Sequence, residues 1–129
     1  MENAAKKVLL VDDEADFRQL LKYWLVSKGY SVVTAENGEQ AVALARDERP
    51  DIIMLDLNMP VLDGAAALKQ IRSFDKEVPV IIISAYVDDR RAKEAMREGI
   101  AGVFYKGKDF QEGLSMLEAV LHTHKQLKK

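Results

Sequence analysis

Residues 51–64 read DIIMLDLNMPVLDG, and the parsing of this stretch decides the fold. Ile52, Ile53, Met54 and Leu55 form an apolar run of strand length with no alternating polar positions. Such a run belongs to a strand covered on both faces, as in a parallel sheet. Asp56 follows at once, so a carboxylate stands at the C-terminal mouth of that strand, where open α/β sheets place their chemistry. Asn58, Pro60, Asp63 and Gly64 then supply a density of turn formers that marks an ordered loop rather than a longer strand. Taken alone, Asp56 reads more simply as a polar strand terminator; the other strand ends change that balance.

Upstream, Lys7–Val11 is apolar from Val8 and stops at Asp12–Asp13–Glu14. Phe17, Leu20, Leu21, Trp24 and Leu25 recur at helical spacing, and Gly29 takes the usual position just beyond a helix end. Ser31–Ala35 is β-branched but less apolar, which predicts an edge strand. Asn37–Gly38 turns the chain into a helix bearing Ala41, Leu44 and Ala45, which ends before Pro50. Downstream of Gly64, Ala67, Leu68 and Ile71 mark a third helix. Val80–Ile83 is another fully apolar strand, terminated by Ser84. Asp88–Glu98 reads as a charge-rich helix whose apolar face is only Ala92, Ala95 and Met96, closed by Gly99. Gly102–Tyr105 is a fifth strand ending at Lys106, and Phe110, Gly113, Leu114, Leu117, Val120 and Leu121 mark the last helix. Strand and helix alternate with short connections. That pattern predicts an α/β fold: a single doubly wound (βα)5 domain with a flavodoxin-like parallel sheet of order 2-1-3-4-5 and helices on both faces.

Composition bounds the function. A chain of 129 residues, 48% hydrophobic and 31% charged, has the balance of one soluble domain with a real core, and residues 1–129 read as one unit. A net charge of −2 offers no electrostatic case for wrapping nucleic acid. The absence of cysteine rules out disulfides and thiolate metal sites. The opening MENAAKKVLL is too short in apolar length for a signal or membrane segment, so the reading is cytoplasmic, with no membrane partner.

Strands one, three, four and five end in Asp12–Asp13, Asp56, Ser84 and Lys106. In a 2-1-3-4-5 sheet, strand three lies between strands one and four, with neighbours about 4.8 Å apart. Their end residues therefore converge on the crevice beside the switch point. Three carboxylates so close repel one another, and a divalent cation relieves the conflict. Oxygen ligands without His or Cys favour a hard ion, Mg²⁺ above all, which takes one or two carboxylates and a phosphate. A carboxylate can accept a phosphoryl group as an acyl phosphate; Lys106 would neutralise its charge and the Ser84 hydroxyl could hydrogen-bond one of its oxygens. Singly, each has a plainer reading: Asp12 or Asp13 as a cap of the first helix, a role expected of one of them in any case, Ser84 as a strand-end hydroxyl, Lys106 as a solvated cation.

Over about residues 7–125 the chain resembles the receiver domain of bacterial two-component response regulators, of the CheY-like superfamily. The resemblance is carried by Asp12–Asp13, by the D-x-N-M-P-x-x-D-G run from Asp56 to Gly64, by Ser84–Ala85, and by Lys106. It implies that Asp56 is the phosphoacceptor, and that Asp12, Asp13, Asp56 and the backbone carbonyl of Asn58 hold Mg²⁺. It further implies that Ser84 is the switch hydroxyl and Lys106 the phosphate partner. The donor would be a sensor histidine kinase or a histidine phosphotransfer protein. Partner binding would switch through the face formed by the fourth helix, fifth strand and fifth helix, toward a downstream protein or a missing output domain. Tyr86 falls where the family's side chain overhangs the phosphoryl site; with Asn58 it would slow hydrolysis.

Two positions depart from the family pattern. Lys106 is followed by Gly107 rather than proline, which predicts a trans, more mobile loop. The switch aromatic is replaced by Val103, which cannot swing as a ring does, so output would rely on loop or helix movement; Phe104 and Tyr105 match other positions and read as core. These departures give weight to an alternative: a pseudo-receiver interaction module not controlled by phosphorylation. His122 and His124, two apart, do not share a helical face, which argues against a metal pair or a phosphotransfer site there. Lys125, Lys128 and Lys129 suit a helix C-terminus. An aspartyl phosphatase of haloacid-dehalogenase type would need D-x-D after strand one, where Asp12–Asp13–Glu14 stands. A nucleotide or flavin binder would need a glycine-rich loop there, and no glycine precedes Gly29.

Overall fold

The computed structural model describes residues 6–85, 90–107 and 109–127, with side chains to Thr123. Among them the chain runs β1 (Lys7–Val11), α1 (Ala15–Ser27), β2 (Ser31–Ala35), α2 (Gly38–Glu48), β3 (Ile52–Asp56), α3 (Gly64–Arg72), β4 (Val80–Ser84), α4 (Arg90–Arg97), β5 (Gly102–Tyr105) and α5 (Phe110–Leu127). The strands pair in parallel in the order β2-β1-β3-β4-β5. The expected α/β architecture is therefore present, with β2 at an edge.

Alternation along the strands sorts the core into two halves. Leu9, Val11, Ile53, Leu55, Val80 and Ile82 face one side, where Ala41 and Ala45 of α2, Leu68 and Ile71 of α3, and Ala95 of α4 cover them. Val8, Leu10, Ile52, Met54, Ile81, Ile83 and Phe104 face the other, against Leu21 and Leu25 of α1 and Leu114 and Leu117 of α5. β3 and β4 are buried along their whole length, which is why both read as unbroken apolar runs. Each large aliphatic side chain so buried contributes about 1.5–3 kcal/mol.

Local chemistry sets the boundaries. Asn37 caps α2 through its side chain, which accepts from the Gln40 N–H, and Asp63 caps α3 by accepting from the Ala66 N–H. Gly29 lies beyond α1 at φ +99°, a conformation that costs glycine little. Gly64 answers a different demand: a Cβ there would lie 2.3 Å from the Asp56 carbonyl oxygen and 2.7 Å from Leu57 Cα. Only a residue without a side chain lets α3 start against the end of β3.

Several expectations are refined. The described part of α4 begins at Arg90; Asp88 and Asp89 lie outside the described residues. Met96 does not join the apolar face: Ala92 and Ala95 form the seat against the sheet, and Met96 turns outward, 56% exposed. Val103 is half-buried and packs against the α2–α3–α4 side of the core, while Phe104 is buried on the other. The residues described contain no cis peptide bond, so Lys106–Gly107 is trans, with Gly107 at φ +93°. No helix among the described residues is long and apolar enough to cross a membrane.

Candidate functional site

The strand ladders continue one residue past the strands and so fix the site's backbone. The Asp12 N–H donates to the Ala35 carbonyl at 3.1 Å, Leu57 N–H to Ile83 at 3.3 Å, and Lys106 N–H to Ser84 at 2.8 Å. Parallel pairing with common polarity brings the ends of β1, β3, β4 and β5 to one edge of the sheet. Among the described residues the buried polar side chains are Asp12 (0% exposed), Asp56 (3%) and Ser84 (2%). All three are strand-end residues picked out by sequence.

Asp12, Asp13 and Asp56 each present a carboxylate oxygen within 4.8 Å of the others. The Asp12 Oδ1 accepts from the Glu14 N–H at 2.8 Å. Its Oδ2 is buried without a hydrogen bond, although Lys106 Nζ stands 3.0 Å away as an ion-pair partner. An anionic oxygen left in that state, in a cluster of carboxylates, fits a divalent cation. Asp56 Oδ1 accepts from the Asn58 N–H at 3.1 Å. Lys106 Nζ lies 3.6 Å from Asp56 Oδ2, pairs closely with Glu14, and rests 4.9 Å above the Phe17 ring. A cavity of about 320 Å³ opens over this group, lined by Asp13, Glu14, Asp56, Asn58, Ala85 and Lys106.

The electrostatics follow from burial and charge. Burial pushes the Asp56 carboxyl up, and the Asp12 charge pushes it further, to about 7, against the opposing pull of the Asn58 N–H and Lys106. For Lys106, burial alone lowers the ammonium pKa, but hydrogen bonds to Glu14 and Asp12 and the charges of Asp56 and Asp12 outweigh it and raise the value.

Asp12, Asp13, Asp56 and Lys106, read from the sequence, thus come together, with one correction of detail. The cap expected of Asp12 or Asp13 is absent: Glu14 holds the N-cap position of α1 without a side-chain cap bond, and Asp12 instead holds the Glu14 amide. Tyr86 lies outside the described residues. Two participants had no role in the sequence reading. Glu14 is visible as the third acid of the run, but its reach to Lys106 is not. Arg91 of α4 donates to Asn58 Oδ1 at 3.0 Å across 33 positions, a contact without sequence signal.

A sequence pattern described as the response regulator receiver domain matches residues 8–118. The chain belongs to the response regulator receiver domain family. As a receiver it is a signalling domain of the two-component kind rather than an enzyme. It is 37% identical over 109 residues to the regulatory protein AtoC of Escherichia coli (strain K12), covering 84% of this chain and 24% of that protein. It is 46% identical over 88 residues to the transcriptional regulatory protein PrrA of Mycobacterium tuberculosis, covering 67% of this chain and 38% of that protein. The receiver therefore spans about a quarter to two fifths of the length of these relatives. Among solved structures, the chemotaxis protein CheY4 of Vibrio cholerae superposes with a TM-score of 0.84 at 34% identity, over 91% of this chain and 99% of that one. NtrX of Brucella abortus superposes with a TM-score of 0.89 at 31% identity, over 97% of this chain and 28% of that one.

Proposed function

We propose that this receiver is a phosphorylation-controlled switch that accepts a phosphoryl group on Asp56. The observation that carries the reading is the buried Asp56 carboxylate set among Asp12, Asp13 and Lys106 beneath an open cavity. An Asp56 carboxylate oxygen bonds to the phosphorus of a phosphohistidine on a histidine kinase or phosphotransfer protein. The phosphorus–nitrogen bond breaks, and the donor imidazole leaves with the electron pair and takes up a proton. Asp12, Asp13, Asp56 and the Asn58 carbonyl would hold Mg²⁺, which when bound offsets the charge of the transferring group. Lys106 takes one phosphoryl oxygen by a charge-assisted hydrogen bond and the Ser84 hydroxyl another. The product acyl phosphate is lost slowly to water.

The output would be altered protein binding through the face of α4, β5 and α5. With Val103 in place of an aromatic, movement of α4 and the loops around it carries the signal. The name of PrrA as a transcriptional regulatory protein supports a downstream partner in transcription, reached through protein contact, since a net charge of −2 gives this domain no hold on nucleic acid. Such a role belongs to the cytoplasm.

Incubation with a small acyl-phosphate donor and Mg²⁺ tests the proposal by intact mass: one phosphoryl group on the wild type and none on Asp56→Asn. The alternative is a pseudo-receiver locked in one state, to which the sequence departures at Gly107 and Val103 lend some weight. It predicts no mass gain on either protein.

A further inference from the structure

Lys106 is held by more carboxylates than the phosphoryl chemistry requires. Its Nζ contacts Asp12 and Asp56, which belong to the proposed cation site, and Glu14, which does not. Glu14 extends from the start of α1 to the cavity rim, 62% exposed, while the lysine side chain is 16% exposed and backed by the Phe17 ring. A divalent cation among Asp12, Asp13 and Asp56 and an ammonium 3.0 Å from Asp12 Oδ2 draw on the same negative charge and repel each other. The ammonium therefore has to give ground when the cation enters. Glu14 is the carboxylate within its reach that lets it do so without leaving the cavity.

We propose that Glu14 is a positioning residue: it holds the Lys106 ammonium on the outer side of the pocket and so sets the affinity of the acidic trio for Mg²⁺. This rests on the reading of the trio as a Mg²⁺ site. Without Glu14 the ammonium has only Asp12 and Asp56 to pair with, and it competes with the ion directly.

Titration calorimetry with Mg²⁺ alone, in the absence of any phosphodonor, tests this through a double-mutant cycle. Glu14→Gln is expected to weaken Mg²⁺ binding roughly three- to tenfold, the range of a partly exposed ion pair. Lys106→Met, which keeps an apolar stem on Phe17, is expected to bind Mg²⁺ more tightly than the wild type. In that background Glu14→Gln should change the affinity less than twofold, because the group through which it acts is gone. An equal loss in both backgrounds would mean that Glu14 contributes only general negative charge, and would overturn the inference, as would no loss in either. A wild type that takes up no Mg²⁺ overturns the proposed function and this inference with it, whereas failure of the cycle on a protein that binds the ion removes this inference alone.

Discussion

Replacing Asp56 by asparagine should make the ion-free protein more stable, although it removes the group on which the proposed activity depends. The shape and the hydrogen bond from the Asn58 N–H to Oδ1 are kept. With an effective dielectric of about 20, the Asp12 charge within 4.8 Å of Asp56 costs at least about 3.5 kcal/mol, and Lys106 at 3.6 Å returns about 4.6 kcal/mol. The two oppose each other, and burying the carboxylate is the largest cost. A carboxyl moved from 3.8 to about 7 carries at most about 4 kcal/mol, and water at the open cavity mouth lowers that ceiling to an expected 1–3 kcal/mol, roughly. For 129 residues this raises the melting midpoint by about 4–11 °C. The sign with pH follows. The folded protein holds the Asp56 proton more tightly than the unfolded chain, so the penalty on the wild type is absent below about pH 4, grows as pH rises to about 7, and is constant above. Thermal unfolding followed by circular dichroism at pH 5 and pH 8 in a chelator should show the gap between variant and wild type widening with pH. Added Mg²⁺ should narrow it by stabilising the wild type preferentially. A variant no more stable than the wild type at pH 8, or a gap independent of pH, would refute the reasoning.

Gly64→Ala forces a Cβ to within 2.3 Å of the Asp56 carbonyl oxygen, where backbone has to yield, and should cost about 2–4 kcal/mol in urea unfolding; a loss within experimental error would show that α3 can shift freely. Val61→Gly should stabilise by about 0.5–2 kcal/mol, because Val61 sits at φ +70° in a tight turn closed by the Leu62 N–H to the Pro60 carbonyl, a strain glycine does not carry. The same unfolding assay checks it, and a destabilised variant would contradict the strain. Arg72→Ala removes a guanidinium that donates to the carbonyls of Asp75, Val78, Glu98 and Gly99. It should cost about 2–4 kcal/mol and speed amide exchange at the end of α4; unchanged exchange there would show that the clamp does not hold that helix.

The layered sheet, its edge strand and the identity of the converging side chains are properties of the linear chain. Burial acts on averages over a few residues, so Ile52–Leu55 and Val80–Ile83 announce strands covered on both faces, and the polar residue ending each marks the same edge of the sheet. Parallel winding then leaves little freedom in where Asp12, Asp56, Ser84 and Lys106 meet. Gly64 was legible as a turn former, yet the reason for it, contact with the Asp56 backbone, exists only once α3 and β3 are packed. The pairing of Lys106 with Glu14, the reach of Arg91 to Asn58, the positive φ of Val61 and the outward turn of Met96 were likewise settled by packing. Such features depend on individual rotamers and on distances between segments remote along the chain, for which hydrophobic periodicity carries no signal.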